Sequence, residues 1–345
     1  MSGSVIQPPP WRDTLTVRML EGAEALTFLT VHWPALYAQD PDATPFLSPT
    51  WLRGWAAQLR DTTPIVLVAA HAPDRPVAAL ALARASNTQG RTRISPLGSP
   101  VSEYIRAVGP GASRPHVVAA LVQRLAEWAD EGASVVMPDV PSASVLGRML
   151  ASEPGWRQST VLCAQVPLPV PYGEMSRSTR RDHARRERDW TAMEAKGRVE
   201  YVRSRTADEL AVGYSAAQQL HRRRWAGHPT RVDADLDGLL EVLRRGGPAQ
   251  AFAATLRLDG VAVAAMVCLY RARTCYSLLP AMDPAVADLA PGHALHRRLC
   301  SDLSLHGFEA LDLGRTRPDP GQISYKSSYC AVWTTTVTAA SGGAW

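Results

Sequence analysis

Lysine is almost missing from this chain. Of the 37 cationic side chains in its 345 residues, only Lys196 and Lys326 are lysine; the rest are arginine. Coding bias explains so uniform a choice, so a lysine that survives is either a surface residue kept by chance or one placed where a planar guanidinium does not serve. Lysine is a compact point charge on a flexible stem, and its pKa moves readily on burial. Cysteine is scarce as well. Cys163, Cys268, Cys275, Cys300 and Cys330 are an odd number without CxxC spacing, mostly inside apolar runs. That argues against a disulfide framework and a zinc site, and for a reducing compartment. No apolar run approaches the ~18 residues of a membrane span. The stretch Met1 to Arg12 has three consecutive prolines and no apolar signal core. The expectation is a soluble, cytoplasmic protein that uses neither metal nor membrane. No nucleophile elbow or Ser/His/Asp order stands out. Cys268, Cys275 and Cys330 read as buried strand residues, which gives covalent cysteine catalysis little support.

What the chain does have is length and a modest basic excess. Its 46% hydrophobic content and 345 residues suit two domains of roughly 150 residues each. The net charge of +5 and pI of about 9.1 fit anionic partners such as cofactor phosphates, RNA or a membrane surface, although many basic soluble enzymes carry such an excess with no nucleic acid bound.

The order of elements repeats. In the first half, Ser48-Pro49 starts a helix carrying Trp51, Leu52, Trp55 and Leu59. Strands follow at 64–70, 77–83 and 91–97, with a turn at Pro73-Asp74-Arg75. A Gly/Pro-rich loop then leads into a helix bearing Val117, Val118, Leu121, Val122, Leu125 and Trp128, stopping near Gly132 before a strand at 133–137. The second half runs through a helix at 234–245, strands at 251–257, 261–269 and 274–279, a helix at 293–306 and a strand at 309–313. Asp259-Gly260 is a strong hairpin turn. Two copies of one α/β unit are expected: a domain at 1–172, a basic linker helix at 173–197, and a donor-binding domain at 198–345. In the linker, Ser176 to Trp190 holds six arginines against Asp182, Glu187 and Asp189. Thr179 and Asp182 fit a capping signal and Gly197 a stop. A solvated mixed-charge helix and a basic face for phosphate or RNA both fit this segment.

Hairpin, third strand, glycine loop, helix and strand, taken twice, resemble the acetyltransferase fold of the GNAT superfamily in tandem. More narrowly the chain is similar to the tandem acyltransferases labelled CelD/BcsL-like, relatives of the Fem peptidyltransferases. The stretches that carry the resemblance are Phe46–Leu52, the arginine-rich linker and Leu220-His221-Arg222-Arg223-Arg224-Trp225. Further ones are Ala281-Met282-Asp283-Pro284 through Pro291-Gly292, Asp312-Leu313-Gly314-Arg315, and Tyr325-Lys326. The resemblance implies an α/β (α+β) fold of two GNAT-like domains, with mostly antiparallel mixed sheets flanked by helices. It also implies a loop, written Q/R-x-x-G-x-G/A, that wraps a donor's pyrophosphate with amides at a helix N-terminus, where the dipole favours an anion. Arg106-Ala107-Val108-Gly109-Pro110-Gly111 spells the motif, although Pro110 lacks an N–H. Leu289-Ala290-Pro291-Gly292-His293-Ala294 lacks the leading polar residue but flows straight into a helix. An ordinary strand–helix turn competes with either.

By the same resemblance, the strands at 274–279 and 309–313 splay, and a strand N–H between Leu278 and Met282 faces the developing oxyanion. The expected cofactor-binding residues are Leu278, Ala281, Met282, Pro291, Gly292, His293, Ala294 and Arg315. Asp312, at a strand end, could accept a proton from an amine or cap a turn with Gly314. Lys326 could hold an oxyanion or phosphate, and Tyr325 or Tyr329 could return a proton to the leaving group; packing is the alternative for the tyrosines. His221, His228, His293, His296 and His306 are candidate bases against the alternative of packing. Trp225, Arg224 and Tyr276 are expected to bind the acceptor. Three functions stay open: N-acyl transfer from acyl-CoA (acetyl-CoA) to a small-molecule amine, Fem-like aminoacyl transfer from aminoacyl-tRNA, and a non-catalytic binding module.

Overall fold

The computed structural model describes residues 15–72, 74–87, 89–226, 236–246 and 250–342. Pro73 and His228 lie outside them. The first half runs β1 (Thr16–Glu21), α1 (Ala23–Val31), α2 (Trp33–Gln39), α3 (Pro49–Ala56), β2 (Thr62–Ala72), β3 (Arg75–Ser86) and β4 (Thr92–Pro96). It continues with α4 (Pro115–Asp130), β5 (Ser134–Pro141), α5 (Val145–Ser152) and β6 (Arg157–Pro167). The linker helix is α6 (Arg177–Glu194). The second half runs β7 (Val199–Arg203), α7 (Ala207–Arg224), α8 (Leu236–Gly246), β8 (Ala251–Leu258), β9 (Val261–Arg271) and β10 (Thr274–Met282). It ends with α9 (Pro291–Leu305), β11 (Ala310–Thr316), α10 (Pro320–Ser327) and β12 (Val332–Ala340).

The twelve strands form one mixed sheet in the order β1-β2-β3-β4-β5-β12-β6-β11-β10-β9-β8-β7. Neighbours are antiparallel except β4/β5 and β10/β11. Each half lays down five strands and then hands over its sixth. β6 leaves the first half to pair with β11, and β12 returns from the chain's end to lie between β5 and β6. This exchange merges two small sheets into one and removes the free edges that β5 and β11 would otherwise present.

Local chemistry explains the elements. Ser48 caps α3 by accepting from the Trp51 amide at 3.2 Å, and Pro49 opens its first turn. Asp259 and Gly260 take φ of 50° and 77°, the left-handed pair that a two-residue hairpin needs between β8 and β9. The linker helix is capped by Ser176, which accepts from the Thr179 amide, rather than by Thr179 itself. Cys330, expected in a strand, sits in a turn before β12 at φ 56° and is only half-buried.

One apolar layer spans both halves on a single face of the sheet. It joins Trp33, Phe46, Trp51, Trp55 and Tyr104 of the first half to Tyr214, Leu239, Val242 and Leu269 of the second. Burying each large side chain there contributes roughly 1.5–3 kcal/mol. The equivalent helices α3 and α8 cross at Gly54, where an added Cβ would lie 2.8 Å from Val242 Cγ1. Arg271, at the end of β9, locks the halves further. Its guanidinium donates to the carbonyls of Tyr37, Asp40 and Ala43 and stacks on the Tyr37 ring at 3.8 Å.

Candidate active site

β10 and β11 are paired for only three residues: Thr274 with Ala310, Cys275 with Leu311, and Tyr276 with Asp312. Beyond Tyr276 and Asp312 no pairing joins them among the described residues, although both strands run on. The sheet parts there. On its other edge β10 stays paired to β9, with a register shift between Ser277 and Leu279 that leaves Leu278 without an opposite residue. A bulge of this kind bends a strand and turns a backbone group out of the ladder. The first half shows a shorter version of the same opening, with β4 and β5 paired only at Arg93/Ser134 and Ile94/Val135.

Asp312 sits at the fork. Its side chain is buried, and Oδ1 accepts from Tyr104 Oη at 2.6 Å and from the Gly314 amide at 2.8 Å. Burial pushes its pKa up to about 7, against the pull of those two hydrogen bonds, and Glu103 nearby adds to the rise. A carboxylate with that value changes charge near neutral pH, where a general base is most effective.

The neighbouring lysine is occupied. Lys326 Nζ donates toward the carbonyls of Leu313, Gly314 and Arg315 at 2.8–3.1 Å and toward Thr316 Oγ1 at 2.9 Å. Three N–H groups facing four oxygens leave none over for an oxyanion. Desolvation lowers its pKa to about 8. Arg315 likewise turns away from a donor loop: it meets Glu103 Oε1 at 3.0 Å, Asp139 Oδ2 at 2.9 Å and the Pro100 carbonyl at 3.3 Å.

The loop into α9 is built differently. Ala290 takes a left-handed conformation (φ 49°, ψ 54°), and Pro291 opens the helix. Trp190 Nε1 ties the loop down through the Leu289 carbonyl at 2.8 Å. Over Gly292 a Cβ would meet only Met282 Sδ, at 3.7 Å, so the first turn lies beside the end of β10 with room above it. Tyr325 Oη is 2.9 Å from His296 Nδ1 and donates weakly to the Gly292 carbonyl at 3.4 Å. His293 Nδ1 lies 2.9 Å from Tyr329 Oη, and Arg186 of α6 approaches its Nε2 at 3.4 Å. Burial lowers both His293 and His296 to about 3, so each is neutral.

In the other glycine loop both glycine amides are taken. Gly109 N donates to Asp40 Oδ2 at 3.1 Å and Gly111 N to the Val77 carbonyl at 2.8 Å, while Arg106 pairs with Asp40 and Asp42. The chain's own carboxylate stands where an anion would sit.

Residues 177–327 match the sequence model described as acetyltransferase (GNAT) domain. The second half of this protein carries a GNAT acetyltransferase domain. It is therefore an acyltransferase domain, joined in tandem to a second unit of the same fold. No curated protein matches the chain by sequence. Among solved structures, FemX superposes with a TM-score of 0.60 at 12% identity, covering 89% of this chain and 94% of FemX. A tandem GNAT protein from the clavulanic acid biosynthesis pathway gives 0.53 at 14% identity, over 96% of this chain and all (100%) of that one. The C-terminal domain of a putative lysylphosphatidylglycerol synthetase from Agrobacterium fabrum gives 0.51 at 16%, over 77% and 81%. At such identities the likeness is one of fold.

Within the GNAT domain the structure gathers Leu278, Met282, Pro291, Gly292, His293 and Tyr325 around the parted strands and the start of α9. Ala281 and Ala294 are buried beneath them. Trp225 lies at the rim between the guanidiniums of Arg317, 4.9 Å above its ring, and Arg224, at 5.5 Å. Tyr276 packs edge-on against Phe46 and Tyr104, at 6.0 Å from each. His221 is buried in the core and His306 is exposed at the end of α9 beside Asp302. Sequence reasoning missed Tyr104, Glu103, Asp139 and Cys163, all from the first half, because only the shared layer and the exchanged strand bring them to the stretch Asp312–Arg315. It also missed His183 of α6, whose Nε2 donates to the Ser328 carbonyl at 2.8 Å; the apolar spacing of His183 and Trp190 on the helix's inner face was the available signal.

Proposed function

We propose that this chain is an N-acyltransferase that takes an acyl group from acyl-CoA, acetyl-CoA in the simplest case, and passes it to an amine. The observation that carries the reading is the fork between β10 and β11, with a buried carboxylate of pKa about 7 at its base. The donor's pyrophosphate rests on the first turn of α9, where Gly292 leaves room and the helix dipole favours an anion. Its acyl arm enters the fork beside the bulge at Leu278, between Ala281-Met282 and Asp312. The amine nitrogen forms the new C–N bond as the C–S bond breaks. The proton lost by nitrogen passes to Asp312, and the thiolate takes one from Tyr325, a phenol kept neutral by burial. Trp225, Arg224 and Tyr276 border the acceptor's side.

Lys326 and Arg315 have supporting work in this reading. Lys326 ties down the diverging end of β11, and Arg315 ties it to the first unit, so the fork stays open. The division into 1–172, 173–197 and 198–345 makes the last of these the donor-binding domain. Acetyl-CoA binding by calorimetry and acetyl transfer to a panel of primary amines test the reading. Absence of both, with the protein folded, removes it.

An aminoacyl-tRNA donor has one observation in its favour. Arg177, Arg181, Arg185 and Arg188 are exposed along one side of α6 while its other side packs on α9. A polyanion held there would lose affinity steeply as salt rises, whereas CoA would lose little. Activity in extract that disappears after ribonuclease treatment would favour this donor.

A further inference from the structure

We propose that Tyr104 is a positioning residue for Asp312: a first-unit hydroxyl that pins one carboxylate oxygen and leaves the other for the acceptor's proton. The first unit, on this view, completes the acyl-transfer site rather than holding a site of its own. The inference rests on the reading of Asp312 as proton acceptor.

Geometry carries it. Tyr104 Oη donates to Asp312 Oδ1 at 2.6 Å and the Gly314 amide to the same oxygen at 2.8 Å, while no hydrogen bond reaches Oδ2 among the described residues. Tyr104 holds φ at +56°, in the left-handed region that bulky side chains avoid. Such conformations persist where surrounding structure enforces them, and they gather at functional sites. Here the enforcement is visible. The ring packs between Phe46 and Tyr276, at 6.4 and 6.0 Å. The next amide, Ile105 N, bonds the Asp139 carbonyl on β5, and Val108 bridges Ala79 on β3. The segment carrying Tyr104 therefore crosses the first unit's own opening between β4 and β5.

Asp139 is the second left-handed residue in this region, at φ +55°, and it too reaches across the boundary, to Arg315. Asp139 and Arg315 each lie five residues past the first paired residue of their strands, Ser134 and Ala310. Glu103 completes the grip by taking Arg315 Nε and covering Gly314, where a Cβ would come within 2.6 Å of its carboxylate. Two strained first-unit residues thus close on the single stretch Asp312–Arg315.

Other groups around Asp312 do not duplicate the hydroxyl. From β6, Cys163 is raised to about 11 by burial and is a neutral thiol. From β10, Cys275 is buried and Tyr276 half-buried, and desolvation raises both. From α10, Lys326 is held by the β11 carbonyls, and Glu103 is an acid paired with Arg315. Among the described residues, Tyr104 is the one side chain that donates to Asp312.

The test titrates Asp312 directly, by the carboxylic C=O infrared band that Asp312→Asn removes. The wild-type band should fade with a midpoint near 7. Tyr104→Phe keeps the ring and loses the donor, so the midpoint should rise by about one pH unit. 3-Fluorotyrosine at position 104, a stronger donor of nearly the same shape, should move it down, and it remains informative if the Phe variant fails to fold. A midpoint that moves in neither protein overturns the inference. The reading of Asp312 stands or falls separately, on whether Asp312→Asn abolishes acetyl transfer.

Discussion

The glycine loops of the two units are built in opposite ways. Ahead of α4, the amide of Gly109 is taken by Asp40 and that of Gly111 by Val77, and Arg106 closes on the same aspartate. Ahead of α9, a Cβ placed on Gly292 would meet, among the described residues, a methionine sulfur and no carboxylate. Both helices open on proline, Pro115 and Pro291, yet three and six residues into α9 stand His293 and His296, where α4 has Val117 and Ala120. The first unit contributes a fixed wall and two strained residues; the second contributes the fork and the open turn. On the proposed reading, a duplicated unit whose loop is closed by its own acid is still needed, because its partner borrows its side chains.

Exchanging features between the units breaks this comparison most severely at the fork. Asp312→Asn should lower kcat/KM for acetyl transfer by about 10²–10⁴, the usual worth of a general base; a smaller loss would make Asp312 a turn cap. Next comes acid sensitivity. His293 and His296 are held neutral, with folded pKa values below that of free histidine, so their contribution is complete above about 6.5 and is lost as pH falls through that range. Each should cost about 2 kcal/mol at pH 5. Asp312 works in the opposite sense: its raised value favours the native state as pH falls below 7. Copying α4 into α9, with His293→Val and His296→Ala, should therefore flatten or reverse the decline in melting temperature between pH 7 and 5.

Transferring the plug should come third. Gly292→Asp puts an acid on the open turn and should weaken acetyl-CoA binding by roughly ten- to a hundredfold, through like charge and an opposed dipole. Asp40→Ala, which unplugs the first loop, should leave that affinity unchanged in calorimetry. The smallest effect concerns the helices that join the units. Gly54→Ala forces a methyl against Val242 and should cost about 1–2 kcal/mol in urea titration.

Much of the fold was legible because it is local. Continuous apolar runs bounded by turn residues gave β2, β3, β8 and β9 to within a few residues, and Asp259-Gly260 announced its hairpin. The Gly292 loop and Asp312 stood out as candidates because each lies at the end of a strand or the start of a helix, where turn chemistry shows. Lys326 was legible as an unusual residue but not as a clamp, since its acceptors are backbone carbonyls that any sequence supplies. Arg315 was assigned by its neighbours in the chain, whereas its partners lie on the first unit. The exchanged strands β6 and β12 escaped for the same reason. Their pairing is chosen by what lies across the sheet, and alternation within a strand does not name its neighbour.

That exchange has a consequence for how the protein comes into being. A ribosome releases residues 332–340 only after both β5 and β6 have emerged, and until they arrive β5 and β6 have nothing between them. The emerging chain must keep a strand-wide slot vacant, guarding two unsatisfied backbone ladders, and β12 closes it like a slat of a blind. Loss of that slat would cripple the first unit as surely as the second.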